Sequence, residues 1–185
     1  MALPVRRSLM IAEELFELPG DDYKYELFEG ELIRIAPTGG EHGVLTIRLG
    51  HLLYEHVTAH DLGIVCGAET GFVLHRTPDT VRAPDAAFIA KDHVPTSGVP
   101  KTYWPFPPDL AVEVVSPSDR FDDVQTKVNE YLTAGTRLVW VVNPTTRTIF
   151  VYHSARDVRA LGEEDELDGE EVISGFRCPV RQIFA

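Results

Sequence analysis

Two carboxylates in this chain fall where a carboxylate is expensive. In DLAVEVVS, residues 109–116, Leu110, Val112 and Val114 face one way along a predicted strand and Ala111 and Val115 the other; Glu113 shares the second face. In RAPDAAFI, residues 82–89, Asp85 lies within a second apolar strand. An ionised carboxylate among apolar neighbours costs free energy unless it is paired or holds a metal. A lysine completes the set. Lys127 lies on the predicted helix FDDVQTKVNEYLTAG, where it flanks the Val124, Val128, Tyr131 and Leu132 face, and its long side chain can reach over the C-terminal end of the preceding strand. Two inward carboxylates and a nearby lysine suit a hard cation and a phosphate. Oxygen ligands hold Mg²⁺, the metal activates water and polarises phosphorus, and the lysine stabilises developing charge.

The same residues have a purely structural reading. Asp85 would be a turn acid, Glu113 would pair with an arginine such as Arg82 or Arg137, and Lys127 would be a solvated helix residue. Two mid-strand acids then need two separate explanations. Among the histidines, His42 opens a helix after Thr38-Gly39-Gly40 and is a candidate auxiliary ligand or proton carrier, with Glu41 beside it a weaker alternative. His56 and His60 stand four apart on that helix, a spacing zinc can use, but no HExxH or cysteine cluster accompanies them. Tyr103 and Trp104 can stack on a base or pin their loop to the core. No nucleophile elbow and no glycine-rich phosphate loop is present.

The elements that must position these residues are legible in outline. Ser8 can cap a short helix reaching Leu18, which Pro19-Gly20 stops. YELFEGELIRIA is a hairpin turning at Glu29-Gly30, and EHGVLTIRLGHLLYEHVTAH a helix ended by Asp61-Leu62-Gly63. GIVCGAETGFVLHR and VRAPDAAFIA are strands; Lys91 to Pro108 is a long loop. DLAVEVVS leads through Ser116-Pro117-Ser118-Asp119 into the Lys127 helix, with Gly135 as its C-cap. RLVWVVNP and RTIFVYHS make a second hairpin. The acidic run from Gly162 to Glu171 reads as an exposed loop. This order predicts one mixed sheet with helices packed on it, neither a sandwich nor a regular βαβ ladder.

Composition sets the outer bounds. With 185 residues, 44% hydrophobic and 25% charged, the chain can bury a core and is expected to form a single domain over 1–185. It contains no run long and apolar enough to span a bilayer, and the N-terminal segment reads as an amphipathic helix and not a signal peptide. Cys66 and Cys178 share no metal spacing and are expected as reduced, buried thiols in a cytoplasmic protein. The net charge of −12 argues against nucleic acid on its face. Its distribution softens this, because residues 32–156 carry 13 acids and 11 lysines and arginines, a net of −2.

The run PPDLAVEVVSPSDRFDDVQTKVNEYLTAGTRLVWVVNP resembles the Uma-two family of restriction-endonuclease-like proteins, whose pattern is PDLxxEVxSPSD, a helical lysine, and YxxAGxxxxWxVxP. YELFEGELI, the His42 region, VRAPDAAFI and the terminal SGF segment extend the likeness over nearly the whole chain. The resemblance implies a PD-(D/E)xK nuclease fold: an α/β, restriction-endonuclease-like core with a mixed β-sheet flanked by helices. It implies that Asp85 and Glu113 bind Mg²⁺ or Mn²⁺, that the Val114 carbonyl is a further ligand, and that Lys127 is the catalytic lysine. That superfamily usually places its lysine two residues after the acid, where this chain has Val115. The implied partner is nucleic acid, DNA ahead of RNA, with a homodimer facing one duplex. Two other functions stay open: a catalytically silent DNA-binding or scaffolding module, and a metal-dependent hydrolase of small phosphorylated molecules.

Overall fold

The computed structural model describes residues 9–20 and 23–185. The Ser8 cap expected for the first helix lies outside them. That helix, α1 (Ala12–Phe16), is tied down by a distant side chain: Asp79 Oδ2 accepts the Ala12 N–H at 2.8 Å, and Arg76 bridges Asp79 to Glu13. Strands β1 (Lys24–Phe28) and β2 (Glu31–Ile35) form the expected hairpin. Glu29 and Gly30 both have positive φ, 49° and 78°, as a two-residue hairpin turn matched to strand twist requires. Helix α2 (Gly40–Ala59) buries Leu45, Leu49, Leu53 and Val57, one face at helical spacing.

Strands β3 (Gly63–Gly67), β4 (Phe72–His75), β5 (Thr80–Arg82) and β6 (Ala86–Ala90) follow. The segment up to β7 (Leu110–Val114) is a loop containing one 3₁₀ turn, Lys91–His93. Trp104 pins this loop: it is fully buried, bridges to Phe72 and stacks on it. Helix α3 (Phe121–Ala134) ends at Gly135, whose φ of 110° explains the glycine. Strands β8 (Leu138–Asn143), β9 (Thr148–Tyr152) and β10 (Val158–Leu161) continue the chain, and β11 (Glu166–Asp168), β12 (Arg177–Pro179) and α4 (Val180–Ile183) close it.

Six strands form one mixed sheet in the order β10-β9-β8-β7-β6-β3, in which β7 and β8 are parallel and joined by α3. Leu110, Val112 and Val114 of β7 point into a core shared with α2 and the C-terminal segment. Ala111 points into the other core, with Val128 and Tyr131 of α3, and Val115 packs against it. The sheet is therefore flanked by α2 on one face and α3 on the other. No helix of the described residues is long and apolar enough to cross a membrane.

Two expectations need correction. The strands do not make one sheet: β2-β1-β5-β4 form a separate antiparallel sheet, closed by the pairing of Leu27 with Val81. The acidic run 162–171 is not simply a loop, since Leu167 is fully buried and β11 pairs with β12 through Leu167 and Cys178. Hydrophobic burial of one leucine, together with ladder hydrogen bonds, outweighs the charge on either side of it.

Candidate active site

At the C-terminal end of β7 a cleft of about 930 Å³ opens, bordered by Asp85, Glu113, Val114, Lys127 and His42. The fold thus brings together Asp85, Glu113, Lys127 and His42, with Val114 of the implied ligand set beside them. Asp85 does not lie within a strand, contrary to expectation: VRAPDAAFIA breaks into β5 and β6, which belong to different sheets, and Asp85 sits just before β6, where its backbone N–H bonds the Val112 carbonyl and its Oδ2 accepts the Val114 N–H at 2.7 Å. These bonds fix the carboxylate beside β7. His42, in the first turn of α2, places Nε2 3.2 Å from the same oxygen, with Thr46 behind it 3.4 Å from Nδ1. Hydrogen bonding to Asp85 raises the His42 pKa; burial works against it and the Asp85 charge adds to it. Glu41 is exposed and does not border the cleft.

Glu113 leaves the opposite face of β7, toward α3. Tyr131 donates its hydroxyl to Oε1 at 2.8 Å, and Lys127 Nζ lies 3.3 Å from Oε2. Burial raises the Glu113 pKa; Lys127 pulls it down, and the charges of Asp85 and Glu26 push it further up. Burial likewise raises Tyr131, and the Glu113 charge adds to this. Lys127 behaves oppositely: burial lowers its pKa, but Glu113 and Glu26 more than offset that, so it stays protonated. The arginines considered as structural partners of Glu113 are engaged elsewhere. Arg82 pairs with Glu26 and Glu130, and Arg137 approaches Asp109.

Glu26 is the residue the sequence reading passed over. It lies on β1, fully buried, and accepts from Arg82 at 2.9 Å and from the Ala83 N–H at 3.1 Å, with Lys127 at 3.7 Å. Lys127 is thereby held between two acids from different sheets. The signal that singled out Glu113 was available here too, an acid within an alternating apolar strand (Tyr25, Leu27), but the hairpin reading absorbed it.

Glu26 and Asp79 give a prediction. Burial pushes Glu26 up, and Lys127, Arg82 and Lys24 outweigh it, leaving its pKa below the ordinary glutamate value of 4.5. Burial also pushes Asp79 up, and the Ala12 and Thr77 N–H groups and Arg76 bring it below 3.8. A depressed carboxyl contributes stability above its unfolded pKa and loses it as pH falls through the folded value. Glu26→Gln should therefore be less stable than the native chain at neutral pH. In denaturant melts the gap should close progressively below 4.5, the ordinary glutamate value. A gap that widens in acid contradicts this sign.

The donor set fits a hard cation. Among the described residues no three His, Cys, Asp or Glu side chains cluster as a metal cage. Mg²⁺ does not need one, because one or two carboxylates suffice when waters and substrate phosphate complete its shell. Asp85 and Glu113 both border the cleft and could serve as such a pair, with Val114 also in its wall. The other histidine pair suits zinc poorly: His56 and His60 rings pack 4.3 Å apart, and a nitrogen of each faces a backbone carbonyl.

A family model described as "Putative restriction endonuclease", Uma2, matches residues 12–181. The chain belongs to the Uma2 family. The match spans every element that builds the cleft, from α1 to β12. Among solved structures, the Uma2 chain is similar to the crystal structure of a "putative nuclease belonging to DUF820" from Anabaena variabilis. The two are 18% identical, with a TM-score of 0.83 over 95% of this chain and 97% of that one. At that identity the likeness concerns the fold, which is restriction-endonuclease-like. No curated protein matches the chain in sequence.

Proposed function

We propose that this Uma2 protein is a metal-dependent nuclease that hydrolyses phosphodiester bonds of nucleic acid, DNA in preference to RNA. Family membership supports the nuclease class. The observation that carries the mechanism is the Lys127 ammonium 3.3 Å from Glu113 at a cleft that Asp85 also borders. It supplies, from a helix, the cation that Val115 does not supply from the strand. Asp85, Glu113 and the Val114 carbonyl would hold Mg²⁺ or Mn²⁺, which would polarise the phosphate and acidify a bound water. Lys127, kept protonated by its two acids, stabilises negative charge developing on the phosphate. His42 orients Asp85 through its Nε2 contact and can hold or pass a proton at that atom. We place the protein in the cytoplasm as a homodimer; Val44, Ile47 and Tyr54, exposed together on α2, offer a face for pairing.

Calorimetric titration with Mn²⁺ tests the reading. The native chain should bind Mn²⁺, and Glu113→Ala should bind at least about tenfold more weakly, as for loss of a group that supports a metal site. Binding that is absent, or unchanged in Glu113→Ala, removes the metal-dependent mechanism and leaves the fold as a nucleic-acid-binding or scaffolding module. Turnover of nucleotides with none of DNA or RNA would place the chemistry on small phosphorylated molecules.

A further inference from the structure

We infer that the cleft accepts an unpaired nucleic-acid strand, stacked on the aromatic residues of its wall, and not an intact duplex. This rests on the nuclease reading and narrows its substrate. Three observations carry it. The first is size. The cleft measures about 930 Å³, within the range of about 300–1,000 Å³ that encloses a drug-sized ligand. That is room for a few nucleotides laid along the wall.

The second observation is the wall. Phe16, Tyr23, Tyr25 and Tyr103 all border the cleft; Phe16 and Tyr23 are exposed there, while Tyr25 and Tyr103 also pack against the core behind it. Tyr23 is 44% exposed, and the Arg34 guanidinium lies 4.2 Å over its ring. Tyr103 meets Phe16 edge-on at 5.2 Å. Base–aromatic stacking tolerates any sequence but requires a base out of its pair, which a duplex does not offer.

The third is charge. Among the described residues, the cations bordering the cleft are Lys24, Arg34 and Lys127, and Lys127 is already held between Glu113 and Glu26. Acids border it as well, Glu69 and Asp119 in addition to the proposed ligands. A protein that neutralises about 6–10 phosphates of a duplex draws most of its affinity from them, and the described wall offers far fewer cations than that. Affinity must then come mainly from stacking. With Lys24 and Arg34 as the phosphate contacts, log affinity against log salt should have a slope of about −1.4 on a single strand.

Fluorescence anisotropy settles the matter, using the full chain in Ca²⁺ buffer with a labelled oligodeoxynucleotide, single-stranded or annealed to its complement. The single strand should bind at least about tenfold tighter than the duplex, and Tyr23→Ala should weaken it by about five- to a hundredfold, with Tyr23→Phe close to native. If circular dichroism shows Tyr23→Ala to be unfolded, Arg34→Gln decides: it should weaken the single strand and reduce the salt slope by about 0.7. Duplex binding as tight as single-strand binding, or a folded Tyr23→Ala (failing that, Arg34→Gln) that matches the native chain, overturns the inference and leaves the nuclease reading standing. Failure to bind either form overturns both.

Discussion

Lys127→Met should cut phosphodiester cleavage by about a hundred- to a thousandfold, the usual loss when one group stabilising transition-state charge is removed. The expectation follows from position. Lys127 Nζ lies 3.3 Å from Glu113 and 3.7 Å from Glu26, and the lysine is held protonated. Its charge can act on substrate or merely keep Glu113 ionised, and the two roles separate in measurement. If Lys127 acts on the phosphate, single-turnover cleavage falls while Mn²⁺ affinity in calorimetry stays within a few-fold of native. If it only holds Glu113 ionised, Mn²⁺ affinity falls in the same proportion as the rate. Cleavage by Lys127→Met at the native rate would remove the lysine from the mechanism.

Arg82→Met should cost about 3–5 kcal/mol of folding stability, the range for breaking a buried ion pair by removing one partner. Arg82 is 4% exposed. It donates from Nη1 to Glu26 at 2.9 Å, makes two bonds to Glu130 of α3, and sits 5.5 Å over the Phe28 ring. It therefore links the four-stranded sheet to the helix that carries Lys127. Methionine keeps much of the volume but leaves the Glu26 carboxylate with only the Ala83 N–H and a longer approach from Lys127. For a chain of this size the thermal midpoint should drop on the order of 10 °C. Combining it with Glu26→Gln should recover part of the loss, because the double variant no longer leaves the Glu26 charge uncompensated in the core. A drop of only a degree or two would show that solvent or rearrangement replaces the guanidinium.

The parts of the fold legible in the sequence are those set by local chemistry. The alternation in DLAVEVVS assigned both faces of β7, and Glu29-Gly30 marked its hairpin because only a few residue types tolerate positive φ there. Gly135 marked the end of α3 for the same reason. What escaped depended on partners distant in the chain. The separation of the four-stranded sheet from the six-stranded one is decided by Leu27 meeting Val81 and by β4 folding back on β5, and neither leaves a local trace. In Glu166-Leu167-Asp168 one buried leucine stands between two charges, too short a pattern to read as a strand. Among the site residues, Asp85, Glu113 and Lys127 were visible because each lay in or beside an apolar run. Glu26 carried the same signal between Tyr25 and Leu27, but what it does there depends on Arg82, fifty-six positions away.

The proposed lysine's place on a helix would change how such sites are found. Glu113 and Lys127 are separated by fourteen positions and by the turn that Asp119 closes on Ser116, yet their polar atoms meet. With the strand relieved of a cation, Val115 packs against the core. A search keyed to acid-x-lysine spacing along the chain would pass over this protein. One keyed to an ammonium facing a strand-borne carboxylate, whatever element delivers it, would retrieve it, and would group relatives by where charge ends up in space instead of by the order in which residues are written.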